Sequence, residues 1–412
     1  MEAMTTANDL QAKLRTVLPP AQLRILEVAT AEAIRLGKSL YLVGGAVRDL
    51  FINAHVNDLD LVSEGDSLPL AQAMASALSG KVTARSQFGT SKLSALGIST
   101  DLVSARGETY RQPGALPTVF PGTIAQDLAR RDFSINAIAL LLAPGPPEIL
   151  DPAHGQADLE SRLVRVLHPK SFRDDATRIL RAVRYEQRLG FSLDADTEAF
   201  VRRDLVMLDT IGGHRLRREL DLIFREKQPG AVLVRAAELG VLTAISQSLP
   251  DGATLQERLS HLDAKAQPVY YLGALAYSQE PGQVESLVRR LSMTGSWARL
   301  VRQITPARQA AAILTDDSSP SAVCHILRAL DTNAVEVVAA LACSQPLQRY
   351  LQEWRQVRPR LTGRDLVQLG VPEGPQLGAL LELLRDARLD GRADTRQDEV
   401  ELARSHIASA TQ

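Results

Sequence analysis

The 412-residue chain is 45% apolar with a formal charge of −1 at neutral pH, enough apolar content for two or three packed domains and no bulk charge drawing it to nucleic acid. Its longest apolar stretch, Ile135 to Ala143, is interrupted by Asn136 and falls far short of the roughly 20 residues that span a bilayer. Two cysteines, Cys324 and Cys343, exclude a disulfide framework or a cysteine zinc site and read as buried packing residues in apolar helical surroundings.

The N-terminal Met1-Glu2-Ala3-Met4 lacks a basic stretch followed by an apolar run, so a cytoplasmic location is expected. Residues 21 to 36 place Leu23, Leu26, Ala29, Ala33 and Leu36 on one face, widened by Ile25, Val28 and Ile34, which predicts a helix ending at Gly37. Ser39 to Val43 then predicts a strand, Gly44-Gly45 a turn, Ala46 to Ile52 a short helix and Asp58 to Val62 a second strand. A helix around Leu70 to Leu78 precedes strands at Lys81 to Ala84, Ser91 to Leu96 and Thr100 to Ser104, separated by Gly89 and Gly97. Proline and glycine crowd residues 113 to 122, marking a loop, and a helix is expected from Ile124 to Leu142, closed by the Pro-Gly-Pro-Pro break at 144–147.

This pattern predicts an α/β head over residues 1–150, a mixed sheet of about five strands with helices. From Asp158 onward strand patterning fades and helical periods run to the end. An all-helical remainder is expected, divided at its proline and glycine breaks into a neck (151–228), a body (229–360) and a tail (361–412).

Three clusters carry chemistry. In Asn57-Asp58-Leu59-Asp60-Leu61-Val62 the strand alternation turns Asp58 and Asp60 to one face and Leu59 and Leu61 to the core. Two carboxylates so close repel unless a cation sits between them, and a divalent metal is the natural occupant. Upstream, the Gly44-Gly45 turn between strand and helix lets backbone approach a phosphate, and Arg48 on the following helix supplies a charge-assisted partner. Asp101, on a later strand, fits either a third carboxylate at the same metal or an exposed edge-strand residue.

The second cluster, Asp127-Leu128-Ala129-Arg130-Arg131-Asp132-Phe133-Ser134-Ile135-Asn136-Ala137, sets polar groups before an apolar run. Asp132 and Ser134 suit helix caps; Arg131, Asp132 and Asn136 equally suit a triphosphate and a ribose. The third runs from Ser171 to Arg188. Seven of the 47 basic residues in the chain are lysine, so arginine dominates, and Arg178, Arg181, Arg184 and Arg188 fall within one helical arc of about 120°. Such a stripe is either a solvated, ion-paired face or a binding surface. Asp174-Asp175 at the helix start favours binding, because a carboxylate paired with an arginine, as in Asp175 and Arg178, can read a base edge without a template.

Together these clusters resemble the class II tRNA nucleotidyltransferase and bacterial poly(A) polymerase family. Gly44-Gly45-Ala46-Val47-Arg48-Asp49 with Asp58-Leu59-Asp60 is similar to its first motif, and Arg130-Arg131-Asp132-Phe133-Ser134-Ile135-Asn136-Ala137 to its second. Asp151-Pro152 with Gly155, Asp158-Leu159 and Arg165 is similar to the third, the connector from head to neck. Asp174-Asp175-Ala176-Thr177-Arg178, followed by Arg181 and Arg184, resembles the nucleotide-selecting motif, and Arg215-Leu216-Arg217-Arg218-Glu219-Leu220 the last. Two departures stand out: Asp174 where many members carry glutamate, and Ala176 where proline is usual.

The resemblance implies Mg²⁺ on Asp58 and Asp60, with Asp101 a candidate third ligand, and a nucleotide held by Gly44, Gly45, Arg48, Arg131, Asp132, Asn136, Asp174, Asp175, Arg178, Arg181 and Arg184. It implies template-independent addition of C and/or A from CTP or ATP to the 3′ end of tRNA, the acceptor arm being held by body and tail. A poly(A) polymerase, or an RNA-binding protein that has lost catalysis, shares the same pattern. Ala105 to Tyr110 through Pro113 to Pro117 is similar to the mobile head loop of members that include A-adding enzymes, and Leu361 to Leu366 with Leu369 to Pro375 to the tail motif.

Overall fold

The structure, a computed structural model, describes residues 6–86, 89–110, 114, 117–263 and 266–410. The chain separates into two compact units, Met1–Ile211 with Leu239–Ala244, and Gly212–Glu238 with Ile245–Gln412.

Two helices, α1 (Ala7–Val17) and α2 (Pro20–Arg35), open the first unit. The head then runs β1 (Leu40–Val43), α3 (Gly45–Phe51), β2 (Asp60–Ser63), α4 (Leu68–Ala77), β3 (Lys81–Arg85), β4 (Thr90–Ala95) and β5 (Ile98–Ser104). A hairpin of β6 (Arg106–Thr109) and β7 (Thr118–Pro121) leads to α5 (Ile124–Ala129), a 3₁₀ turn (Ser134–Asn136), β8 (Ala139–Ala143) and β9 (Ile149–Leu150). Seven strands form one mixed sheet in the order β3-β4-β5-β2-β1-β8-β9, with β2 and β5 parallel and the other neighbours antiparallel. An α/β head with a mixed sheet was the expectation; the sheet has two strands more than the approximate five.

One added strand replaces part of a helix. The run expected to be helical from Ile124 to Leu142 is a short helix to Ala129 and then, from Ala139, a strand between β1 and β9 inside the sheet. A strand covered on both faces is apolar throughout, and such a run is indistinguishable by periodicity from a buried helix. The crowded segment 113–122 contains β7 at its end, while 111–113, 115 and 116 of the head-loop resemblance lie outside the described residues.

The rest of the first unit comprises α6 (Gly155–Glu160), β10 (Leu163–Val164), α7 (Ser171–Asp174), α8 (Thr177–Leu189), β11 (Ser192–Leu193) and α9 (Ala195–Arg203). Asp151 caps α6, accepting from the Gly155 and Gln156 amides at 2.7 and 2.9 Å. A Cβ on Gly155 would lie 2.3 Å from the Ser134 carbonyl oxygen, so only glycine lets α6 pack against the turn before β8. Asp158 accepts from Ser134 Oγ at 2.5 Å and from Arg165 Nε at 3.1 Å. These bonds show why the residues of the third motif occur together.

The second unit is helical in its described residues, from Gly213–Phe224 to Arg396–Ala410. Phe224 stacks on Tyr271 at 6.4 Å and meets Trp297 at 5.5 Å between ring centroids. Near the C-terminus Leu361, Leu366, Val371, Leu380, Leu384 and Ala403 form a separate small core. The fully buried Glu399 ties the chain down there by accepting from the Arg360 and Leu361 amides at 2.9 and 2.7 Å. Cys324 is buried as expected, but Cys343 is exposed: it follows the helix Thr332–Leu341 with φ +50°, which turns it off the apolar helix face. Among the described residues no helix is long and apolar enough to cross a membrane.

Candidate functional site

β1 ends in Gly44, whose φ of +67° and ψ of −129° are open essentially to glycine alone. A Cβ there would lie 2.6 Å from Arg131 Nη1, so the bare backbone leaves room for the guanidinium. Gly44→Ala is expected to lower stability by about 1–3 kcal/mol through backbone strain and, by displacing Arg131, to raise the KM for a nucleoside triphosphate about tenfold, since a hydrogen bond to a charged group contributes about 1.5–3 kcal/mol. A folded variant with wild-type KM would show that Gly44 does not set Arg131.

Burial alternates through the carboxylate pair: Asp58 and Asp60 are exposed, and Leu59 and Leu61 are buried. Asp60 stands in register with Asp101 across the parallel β2–β5 ladder, which sets both side chains on one face. Although Asp60 as a residue is exposed, desolvation of its carboxyl pushes the pKa up. Arg131 opposes this, the charges of Asp58 and Asp101 add to it, and Arg48 opposes it. Asp101 is half exposed and lies 4.0 Å from Lys92. Among the described residues no three His, Cys, Asp or Glu side chains form a metal cage. A crowded two-carboxylate set nevertheless fits magnesium, which usually takes one or two carboxylates and completes its shell with water and substrate phosphates.

Beside the pair, a polar network joins α5 and the segment after it to α8. Fully buried Asp127 accepts from Arg130 Nη2 at 2.6 Å and from Arg131 Nη2 at 3.0 Å. Arg131 also reaches the Asn136 carbonyl at 3.4 Å, and its buried Nε has no partner among the described residues. Arg48, almost fully buried, donates to Asn136 Oδ1 at 2.7 Å and to Asp49 Oδ1 at 2.8 Å. Asn136 Nδ2 in turn donates to Asp132 at 3.0 Å. Burial would raise the Asp132 pKa, but Arg181, donating from Nε at 2.9 Å and from Nη2, together with Asn136 and Arg178, holds it below the usual carboxylate value.

α7 and α8 carry the remaining candidates. Asp175 directly follows α7 and accepts from the Thr177 amide and hydroxyl at 3.0 and 2.7 Å, so one of its oxygens holds the first residue of α8. Asp174 is half-buried, 3.5 Å from His168. Arg178 is buried, donating from Nη1 to Ser171 Oγ and from Nη2 to the Arg130 carbonyl, both at 2.7 Å. With Arg184 buried and Arg181 half-buried, most of the arginine stripe is no solvated face; Arg188 alone is exposed. Arg178 and Arg181 thus bind the neck to the segment that carries Arg131 and Asp132.

A family model described as the poly A polymerase head domain matches residues 40–165. An A-adding tRNA nucleotidyltransferase of Halalkalibacterium halodurans is 33% identical over 97% of this chain and 96% of its own length. The chain belongs to the tRNA nucleotidyltransferase family. A CC-adding member from Deinococcus radiodurans is also 33% identical, over 90% of each chain. An A-adding member from Geobacter sulfurreducens is 34% identical over 88% of this chain, which spans 44% of that longer protein. Among solved structures, an apo CCA-adding enzyme superposes with a TM-score of 0.85 at 26% identity, covering 97% of this chain and 98% of that one.

Within this family member, the structure gathers Gly44, Arg48, Arg131, Asp132, Asn136, Arg178 and Arg181 into one connected network. Asp60 adjoins it through the charges of Arg131 and Arg48, and the charge of Asp58 acts on Asp60. Asp101 joins by register, and Asp174 stands apart with His168. Two residues had no role in the sequence reading although both lie inside the quoted clusters. Asp127 unites two arginines, and Tyr185 touches four; Asp127, three and four residues before Arg130 and Arg131 and so on their side of one helical turn, carried the stronger sequence signal.

Proposed function

We propose that this chain is a cytoplasmic, Mg²⁺-dependent, template-independent nucleotidyltransferase that adds C and/or A from CTP or ATP to the 3′ end of tRNA. The observation that carries the proposal is the Asp58/Asp60 pair beside the Gly44 turn and the unfilled Nε donor of Arg131. A two-carboxylate edge next to a cationic recess suits a triphosphate whose α-phosphorus is attacked by the tRNA 3′-hydroxyl, with pyrophosphate leaving.

Asp58 and Asp60 would hold the metal, with Asp101 a candidate third ligand, and bound Mg²⁺ would supply Lewis-acid activation of the hydroxyl and charge neutralisation on the phosphates. Arg131 offers Nε to a phosphate oxygen while Asp127 fixes its far end. Gly44 and Gly45 leave the backbone close enough to join it, and Arg48, Asn136 and Asp132 fix the floor. On the neck, Asp174, Asp175 and Arg178 take the base edge, with Arg181 and Arg184 lining the same side. In this reading residues 1–150 are the catalytic head, 151–228 the neck that selects the base, and 229–360 and 361–412 the body and tail that hold the acceptor arm by shape and phosphate contacts.

Incubating the protein with tRNA transcripts that end at the discriminator base, at C or at CC, with CTP and ATP offered separately, tests the proposal. Extension of a tRNA end by one to three nucleotides supports it, and the substrate extended identifies CC-adding, A-adding or CCA-adding activity. The Halalkalibacterium A-adding and the Deinococcus CC-adding relatives both stand at 33% identity, so the transcripts rather than identity decide between those two activities. Long A tails on unrelated RNA would replace the tRNA reading with a poly(A) polymerase, and no incorporation would favour an RNA-binding protein.

A further inference from the structure

We infer that Tyr185 is the positioning residue that holds the arginines of the head and the neck in one register around the nucleotide. The inference rests on the nucleotide site proposed above. The guanidinium carbons of Arg48, Arg181, Arg184 and Arg188 lie 5.3, 5.7, 5.6 and 5.6 Å from the centroid of the Tyr185 ring. Arg48 comes from α3, directly after the Gly44-Gly45 turn, whereas the other three share α8 with Tyr185. One ring therefore touches both the triphosphate end and the base end of the site.

Four like charges so close repel one another, and an aliphatic side chain at their centre would do nothing to offset it. An aromatic ring does, because its quadrupole presents negative density to cations within about 6 Å. Asp49 on Arg48 and Asp132 on Arg181 supply anionic partners at the rim of the set. The ring itself is oriented by Phe133, which meets it edge-on at 5.7 Å and 76°. Phe133 is fully buried and directly follows Asp132, so the element that anchors Arg181 also aims the ring. All four guanidinium groups lie over the ring, which marks the π face as the operative feature.

The decisive test changes the electronics of the ring and keeps its shape. Phenylalanine and its mono-, di- and trifluorinated analogues are placed at position 185, and the Kd for CTP and ATP is measured by calorimetry together with KM and kcat on a tRNA transcript. Phenylalanine is expected to restore the wild-type KM, each added fluorine to raise nucleotide KM and Kd stepwise to about tenfold in total, and KM for tRNA to stay unchanged. Tyr185→Leu should show at least the largest of these losses. A flat fluorination series with a folded protein overturns the inference, as does a Phe variant as weak as the Leu variant. If the unaltered protein binds CTP or ATP but transfers nothing, the transferase reading fails while the Kd series still decides the role of Tyr185. If it binds neither nucleotide, both fall.

Discussion

Asp58→Ala is expected to reduce nucleotide incorporation by about three orders of magnitude or more while tRNA affinity changes by less than about twofold. The size follows from what a divalent ion contributes at a phosphoryl centre, several kcal/mol of charge stabilisation, with each 1.36 kcal/mol worth a factor of ten in rate. Asp58 is the better position to change because it is exposed and precedes β2, so its removal opens no cavity and breaks no strand pair. Surface changes of that kind cost about 0.5 kcal/mol or less in stability. Asp60 is less clean, since its charge is coupled to Arg131 and Arg48. Single-nucleotide extension on a sequencing gel, run beside a filter-binding titration with tRNA, reads both quantities. Extension at near-normal rate would remove Asp58 from the metal site.

The Asp58–Leu59–Asp60–Leu61 segment was legible in the sequence because its exposure alternates with a period of two up to the first residues of β2, although Asp58 and Leu59 precede that strand. That Asp60 would meet Asp101 in register was not, since parallel partners forty residues apart leave no local mark. The same limit explains β8. Ala139–Ala143 is covered on both faces, its composition is helical as much as extended, and only its place beside β1 decides the outcome.

The arginine stripe on α8 was visible as spacing, but its meaning lay in burial. Arg178 and Arg184 are withdrawn from solvent by groups far away in sequence, among them the Arg130 carbonyl, and no helical wheel contains those groups. Tyr185 escaped notice for a related reason. As one aromatic amid arginines it reads as packing, and its contact with Arg48 exists only once head and neck have folded together.

Base selection gives the second large effect, and the structure dictates which substitution tests it fairly. Asp175→Ala would delete the bonds to Thr177 at the start of α8 as well as any base contact, at a cost of about 1 kcal/mol in stability. Asp175→Asn keeps an oxygen for the Thr177 amide and hydroxyl and turns the other acceptor into a donor, reversing the group offered to a base edge. Preference for CTP and ATP over UTP and GTP is expected to fall about 10- to 100-fold, the 1–3 kcal/mol that one well-placed pair contributes to discrimination. Arg178→Ala should lower discrimination by a similar factor and also lower the melting temperature, because the buried Ser171 hydroxyl and the Arg130 carbonyl lose their donor. Competition assays with all four nucleotides at equal concentration separate the two contributions. Unchanged selectivity in both variants would move base reading away from this end of α8, leaving Asp175 to hold Thr177 and Arg178 to tie α8 to the Arg130 carbonyl.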